Sequence, residues 1–204
     1  MIGIVDYGAG NIKSVCNALN KIGASWRLIT NASEMDTVDG LILPGVGSFG
    51  DAMNQINNKG LTQAIKDYAA ADRPFFGICL GLQLMFSHSE ESPDVDGLGI
   101  FEGEIRRIPS DGHLKVPHIG WNSLNIQKLD GIFKGVDTGM FAYFVHSFYL
   151  DAVDKSVVAA TTLYGIEIDA AVEKGRVSAC QFHPEKSGEQ GLEILKAFAD
   201  ICKK

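Results

Sequence analysis

Apolar positions in the first half of the chain switch repeatedly between short continuous runs and a spacing of three to four residues. Residues 2–6 form an unbroken apolar run ending at Asp6, which predicts a buried strand. Ile12, Val15, Cys16, Leu19 and Ile22 then recur at helical spacing and stop at Gly23, a suitable helix C-terminal cap. Residues 25–30 and 40–44 predict a second and a third strand, and 49–56 and 61–68 two helices. Residues 75–79 then predict a strand that runs into Cys79, followed by a helix over 80–86. Strand and helix alternating in this way point to a parallel sheet covered on both faces.

After Ser87 the period changes. Residues 98–108, 115–121, 140–150, 157–162, 166–173 and 176–182 read as strands with little helix between them, so meanders and hairpins are expected beside the parallel core. Glu173-Lys174-Gly175-Arg176 has the composition of a hairpin turn, and Leu192, Leu195, Phe198 and Cys202 mark a closing amphipathic helix. The chain of 204 residues is 46% apolar and shows no internal repeat, low-complexity segment or long linker, which predicts one domain over 1–204. The fold class expected is α/β, a central mostly parallel sheet flanked by helices with added antiparallel strands.

Charge narrows the partners. The formal net charge is −7, and the basic residues are scattered, with only short pairs such as Arg106-Arg107 and Lys203-Lys204. A nucleic-acid binder would show a basic stripe. The start of the chain has no basic segment and no cleavage-site pattern, so it reads as a first strand and not as a leader. The most apolar stretch, residues 75–86, is shorter than the roughly 20 residues that cross a bilayer. Cys16, Cys79, Cys180 and Cys202 lie far apart, with neither zinc-ligand spacing nor a disulfide framework. A cytoplasmic protein without metal, membrane or nucleic acid is the expectation.

Candidate chemistry centres on Cys79. In Pro74-Phe75-Phe76-Gly77-Ile78-Cys79-Leu80-Gly81-Leu82-Gln83 a strand pattern meets Gly-x-Cys-x-Gly and then a helix pattern, the arrangement of a nucleophile on a sharp strand-to-helix turn. Side chains at either glycine would obstruct the turn, and a helix beginning after Cys79 aims free N–H groups at the sulfur, which favours the reactive thiolate. A lone cysteine is by default a buried structural residue; the flanking glycines argue otherwise here.

The nucleophile needs a base. Of His88, His113, His118, His146 and His183, it is His183 that reads as having its orienting partner built in, in Cys180-Gln181-Phe182-His183-Pro184-Glu185. With the proline holding the chain extended, Glu185 falls on the same side as His183 and can orient the imidazole. The competing reading is a surface His–Glu pair at a strand end. His118 and His146 are weaker bases because neither has a neighbouring carboxylate, and Cys16, Cys180 and Cys202 read as core residues. An oxyanion site follows from the Leu80 N–H after the nucleophile and from Pro44-Gly45-Val46-Gly47-Ser48-Phe49-Gly50 at a strand end. That run lacks the Gly-Lys-Ser/Thr ending of a phosphate loop. Asp6-Tyr7-Gly8-Ala9-Gly10-Asn11 is too short a glycine pattern to mark a dinucleotide site, and Asn11 is explained as a helix N-cap.

Taken together, the elbow at 77–83, the segment at 44–50 and the Phe182-His183-Pro184-Glu185 end resemble the three signature regions of the class I, or triad, glutamine amidotransferases. The resemblance spans almost the whole chain and implies their flavodoxin-like fold. It implies that Cys79, His183 and Glu185 form the triad that hydrolyses glutamine, with Gly47 and Leu80 donating to the oxyanion. Gln83 and Glu91 would hold the substrate, and His146, Ser147 and Phe148 would form a further wall. Asp6-Tyr7-Gly8-Ala9-Gly10-Asn11, Pro117-His118-Ile119-Gly120-Trp121-Asn122 and His183-Pro184-Glu185-Lys186-Ser187 look like the branch of the family that passes ammonia to a (β/α)₈-barrel cyclase subunit in histidine biosynthesis. That likeness implies a heterodimer docked through Asn11, Trp121, Asn122 and Lys186, and no cofactor. Core packing is the other explanation for Trp121. An amidotransferase of another synthase, such as one for surface sugars, a cysteine-peptidase-like hydrolase and a non-catalytic binding protein are the alternatives.

Overall fold

The computed structural model describes residues 1–8, 11–110 and 114–203. Its parallel core consists of β1 (Ile2–Val5), β2 (Trp26–Ile29), β3 (Gly40–Gly45) and β4 (Phe75–Cys79), in the order β2-β1-β3-β4. β1, β3 and β4, buried along their whole length, alternate their side chains between two covered faces, while β2 at the edge is only partly buried. Leu41, Leu43 and Phe75 pack under α2 (Phe49–Asn58), α3 (Thr62–Ala70) and α4 (Leu80–Leu84). Ile2, Ile4, Ile42, Phe76 and Ile78 pack on the opposite face with α1 (Ile12–Lys21) and α5 (Gly188–Ile201). Two buried faces explain why β1, β3 and β4 read as continuous apolar runs.

Four strand or helix limits differ from the sequence expectation in ways that matter. Residues 98–101 are no strand: Leu98 N and Ile100 N donate to the Leu84 and Met85 carbonyls, which ends α4 early and leaves β6 as Gly103–Arg107, beside the two-residue β5 (His88–Ser89). β7 begins at His118 and runs to Ser123, and the short β8 (Asn125–Ile126) follows. The run over 140–150 is two strands, β9 (Phe141–His146) and β10 (Phe148–Ala152), broken at Ser147. β9 pairs antiparallel with β7 in a separate ribbon, whereas β10 joins the main sheet. Continuous hydrophobicity hid the break, because both strands bury one face.

The main sheet continues as β4-β13-β12-β10-β6-β5, with β11 (Val158–Tyr164) pairing β12 (Ile166–Lys174) and β8. β13 (Val177–Cys180) lies parallel to β4 and antiparallel to β12, joined to β12 by the turn expected at 173–176, where Gly175 takes φ +59°. The carboxyl ends of β3, β4 and β13 therefore lie side by side. Crevices at those ends are where open α/β sheets hold ligands. None of the described helices is long and apolar enough to cross a membrane.

Candidate active site

Cys79 is the last residue of β4 and the N-cap of α4, with φ +55° and ψ −108°. Such a conformation for a residue with a Cβ costs on the order of 1–3 kcal/mol and persists only where its surroundings enforce it. The glycines on either side are part of that enforcement. A Cβ on Gly81 would run into the Leu43 carbonyl oxygen, and one on Gly77 would come within 2.9 Å of the Gly81 backbone. β4 and α4 can approach this closely only without those side chains. Gly45 pairs with Cys79 across β3 and β4, so the 44–50 segment leaves the sheet directly beside the elbow.

His183 enters from the neighbouring strand end. Its backbone N–H donates to the Tyr143 carbonyl at 2.9 Å, and its carbonyl accepts from Ser187 Oγ at 2.6 Å, so its position is fixed from both sides. Glu185 accepts from Nδ1 at 2.8 Å, as the sequence suggested, but by another route. His183 is extended, while Pro184–Lys186 forms a 3-10 turn that brings the carboxylate back under the ring. Both side chains are buried, 2% and 0% exposed, which removes the surface-pair reading.

Burial alone would lower the pKa of His183, and Cys79 and Glu185 outweigh it, pushing the value up to about 9. The other ring nitrogen, Nε2, is buried without a hydrogen-bond partner among the described residues. A buried, unpartnered nitrogen close to a thiol is positioned to exchange protons with a molecule bound there. By contrast, burial raises the pKa of Cys16, Cys180 and Cys202, the last to about 12, as suits thiols packed in the core.

A cavity of about 340 Å³ opens over these groups. Cys79, Leu80, Gly47, Gln83, Glu91 and His183 line it, and His146, Ser147 and Phe148 form a wall where the chain crosses from β9 to β10. Ten of the fourteen residues singled out in the sequence thus meet in one cavity when Lys186 is included. Glu185 stands behind His183. Glu91 Oε2 accepts from Phe49 N at 2.7 Å, tying its loop to the first turn of α2 and the 44–50 segment. A larger cavity of about 650 Å³ lies where β13 begins, lined by Gln63, Lys66, Asp67 and Asp72 among others, with neither cysteine nor histidine.

Asn11, Trp121 and Asn122 lie outside the cavity. Asn11 is the N-cap of α1, although its side chain accepts from Ser14 Oγ at 2.9 Å and not from a backbone N–H. Trp121 is 55% exposed, with its edge against Tyr143, and Lys186 Nζ lies 5.7 Å over that same ring. Asn122 faces the other side of β7, where Nδ2 donates to the Leu163 carbonyl at 2.9 Å. His113 falls outside the described residues.

Two features were not anticipated. His118 Nδ1 and His146 Nε2 lie 3.0 Å apart in a buried pair, and Gln181 is fully buried with its amide toward Cys79. The one advance signal for the latter is an amide inside the otherwise apolar and small run over 177–182.

The profile of the family described as "Glutamine amidotransferase class-I" matches residues 3–202. "Imidazole glycerol phosphate synthase subunit HisH" of Caldanaerobacter subterraneus is 46% identical, over 100% of this chain and 99% of its own length. The protein of the same name from Syntrophotalea carbinolica is 48% identical, over 98% and 100%. A crystal structure titled "glutamine amidotransferase" superposes with a TM-score of 0.78 at 18% identity, covering 100% of this chain and 99% of that one, a likeness of fold.

Proposed function

From the premise that the chain belongs to the class I glutamine amidotransferases, we propose that it is the glutaminase subunit of an imidazole glycerol phosphate synthase. The observation that carries the reading is Cys79 on its strained elbow, sharing a cavity with His183, which is buried against Glu185.

L-glutamine enters the cavity over Cys79, with Gln83, Glu91 and the 146–148 wall around it. The sulfur attacks the side-chain amide carbon, and the oxyanion forms where Leu80 at the start of α4 and Gly47 supply backbone N–H groups. A pKa near 9 keeps His183 protonated at neutral pH, so it can give its proton to the departing nitrogen as the C–N bond breaks. Ammonia leaves, and a glutamyl thioester remains. The now neutral imidazole takes a proton from water, which attacks the thioester and releases glutamate. Glu185 holds Nδ1–H throughout and so keeps Nε2 facing the reacting atoms.

Ammonia in water is mostly protonated and unreactive, so it has to reach a second active site by a sheltered path. The acceptor in this reading is a (β/α)₈-barrel cyclase subunit, which uses the ammonia on a phosphoribosyl-carboxamide nucleotide to give imidazole glycerol phosphate and an aminoimidazole carboxamide ribotide. Docking runs through Trp121, Lys186, Asn11 and Asn122. The half-exposed Trp121 against Tyr143, with Lys186 over the ring and also lining the cavity, supports a docking face that adjoins the cavity mouth. The whole of 1–204 acts as one glutaminase domain in the cytoplasm.

The test is Cys79→Ala in the reconstituted synthase. Glutamine-driven product formation should fall to background while synthesis from added ammonium salt persists. Retained glutamine-driven turnover would rule out Cys79 as the nucleophile.

A further inference from the structure

One more polar side chain reaches the sulfur. Gln181 is 0% exposed, and its Nε2 lies 3.9 Å from Cys79 Sγ, within reach of an N–H···S hydrogen bond. Which end of the amide faces the sulfur follows from its neighbours. Gln83 lies 3.2 Å from the Phe148 carbonyl oxygen and 3.0 Å from Gln181. A carbonyl can only accept, so the Gln83 atom between them is its nitrogen, and that nitrogen's second N–H goes to Gln181 Oε1. The nitrogen of Gln181 is left facing Cys79. The Phe148 carbonyl also accepts from His146 Nδ1 at 2.8 Å, and Gln181 N donates to Ala170 O at 2.8 Å. Side chain and backbone are thus both anchored, and the donor cannot turn away without leaving buried groups unpaired.

We propose that Gln181 is a further catalytic residue: its side-chain N–H, oriented by Gln83 and the Phe148 carbonyl, stabilises negative charge on Cys79 Sγ. The proposal rests on Cys79 being the nucleophile. The same donor acts twice in the cycle. It favours the thiolate before attack, and it receives the charge returning to sulfur when the C–S bond of the thioester breaks and the electron pair goes back to Cys79. His183 handles the protons, whereas Gln181 donates a hydrogen bond and transfers none.

The experiment measures iodoacetamide alkylation of Cys79, located by mass spectrometry, in the full chain from about pH 5 to about pH 9, where thiolates of activated cysteines form. It is paired with glutaminase kinetics in the synthase. Gln181→Met should shift the alkylation profile upward by about one pH unit and lower kcat by about tenfold, the effect of one lost donor, with KM within about twofold. Gln181→Glu keeps the shape and the oxygen that accepts from Gln83 but presents a carboxylate to the sulfur. It should cut alkylation near neutral pH by more than tenfold, and it carries the same test where Gln181→Met does not fold. Wild-type alkylation profiles and kcat in the folded variants would overturn the role of Gln181. Failure of the nucleophile assignment would show separately, as activity retained in Cys79→Ala.

Discussion

Two pairs of side chains centred on buried histidines sit within one site and have opposite electrostatics. His183 is buried against a carboxylate and a thiol, and its pKa is pushed up to about 9. His118 and His146 are buried against each other, and burial pushes both down to about 4. Their hydrogen bonds agree with neutrality. His146 Nδ1–H donates to the Phe148 carbonyl, so its Nε2 accepts from His118 Nδ1–H. A proton added to His146 Nε2 would face another N–H. Burial by itself makes an imidazole an uncharged structural group, and a thiol and a carboxylate in contact turn it into a proton carrier. That difference supports the proposed role of His183 as acid and base, and leaves the other pair to hold the wall over 146–148.

The comparison breaks most visibly at Glu185. Glu185→Gln keeps the shape but removes the charge, so His183 should titrate lower and glutamine turnover should fall by roughly 10³-fold or more, as in other triads that lose their orienting carboxylate. Glutaminase assays in the synthase across pH would check it, and a loss under about tenfold would mean that Cys79 alone sustains the raised pKa. On the other side, His146→Leu removes an acceptor and a donor at once. It leaves His118 Nδ1–H and one lone pair of Phe148 O unpaired, costing about 3 kcal/mol in denaturant unfolding. A change within about 0.5 kcal/mol would show that water replaces the ring.

How far the sequence could anticipate this contrast differs between the two pairs. His183 and Glu185 are two residues apart, and the elbow at Cys79 is written in consecutive residues with glycines whose reason is local, so the candidate triad was legible. The parallel core was legible for a similar reason, since runs buried on both faces carry an unmistakable pattern. His118 and His146 are 28 residues apart, and they meet only because β7 pairs antiparallel with β9, in register at those two positions. No period within either strand encodes that register. The break at Ser147, which turns one apolar run into two strands of different sheets, was hidden likewise. The orientation of Gln181 was not legible, because it depends on Gln83, 98 positions away.

The pH dependence of stability is the most direct measure of the contrast, because the two pairs place opposite slopes on it. His183 has a folded pKa above the unfolded value of 6.5, so its contribution is complete below that value and is lost as pH rises toward 9. His118 and His146 have folded values below 6.5. Their contribution is complete above 6.5 and is lost as pH falls toward 4, because the unfolded chain takes up protons that the folded pair refuses. Stability should therefore peak near pH 6.5 and decline on both sides, by up to about 3 kcal/mol on the alkaline limb and by more on the acid limb, where two histidines contribute. Carboxylates also contribute below about pH 5, so the informative quantity is the difference between wild type and variant. Urea unfolding at a series of pH values should show Glu185→Gln flattening only the alkaline limb and His146→Leu only the acid limb. If either variant flattened both limbs, the two pairs would be a single coupled titrating unit, and the division between proton carrier and structural wall would fail.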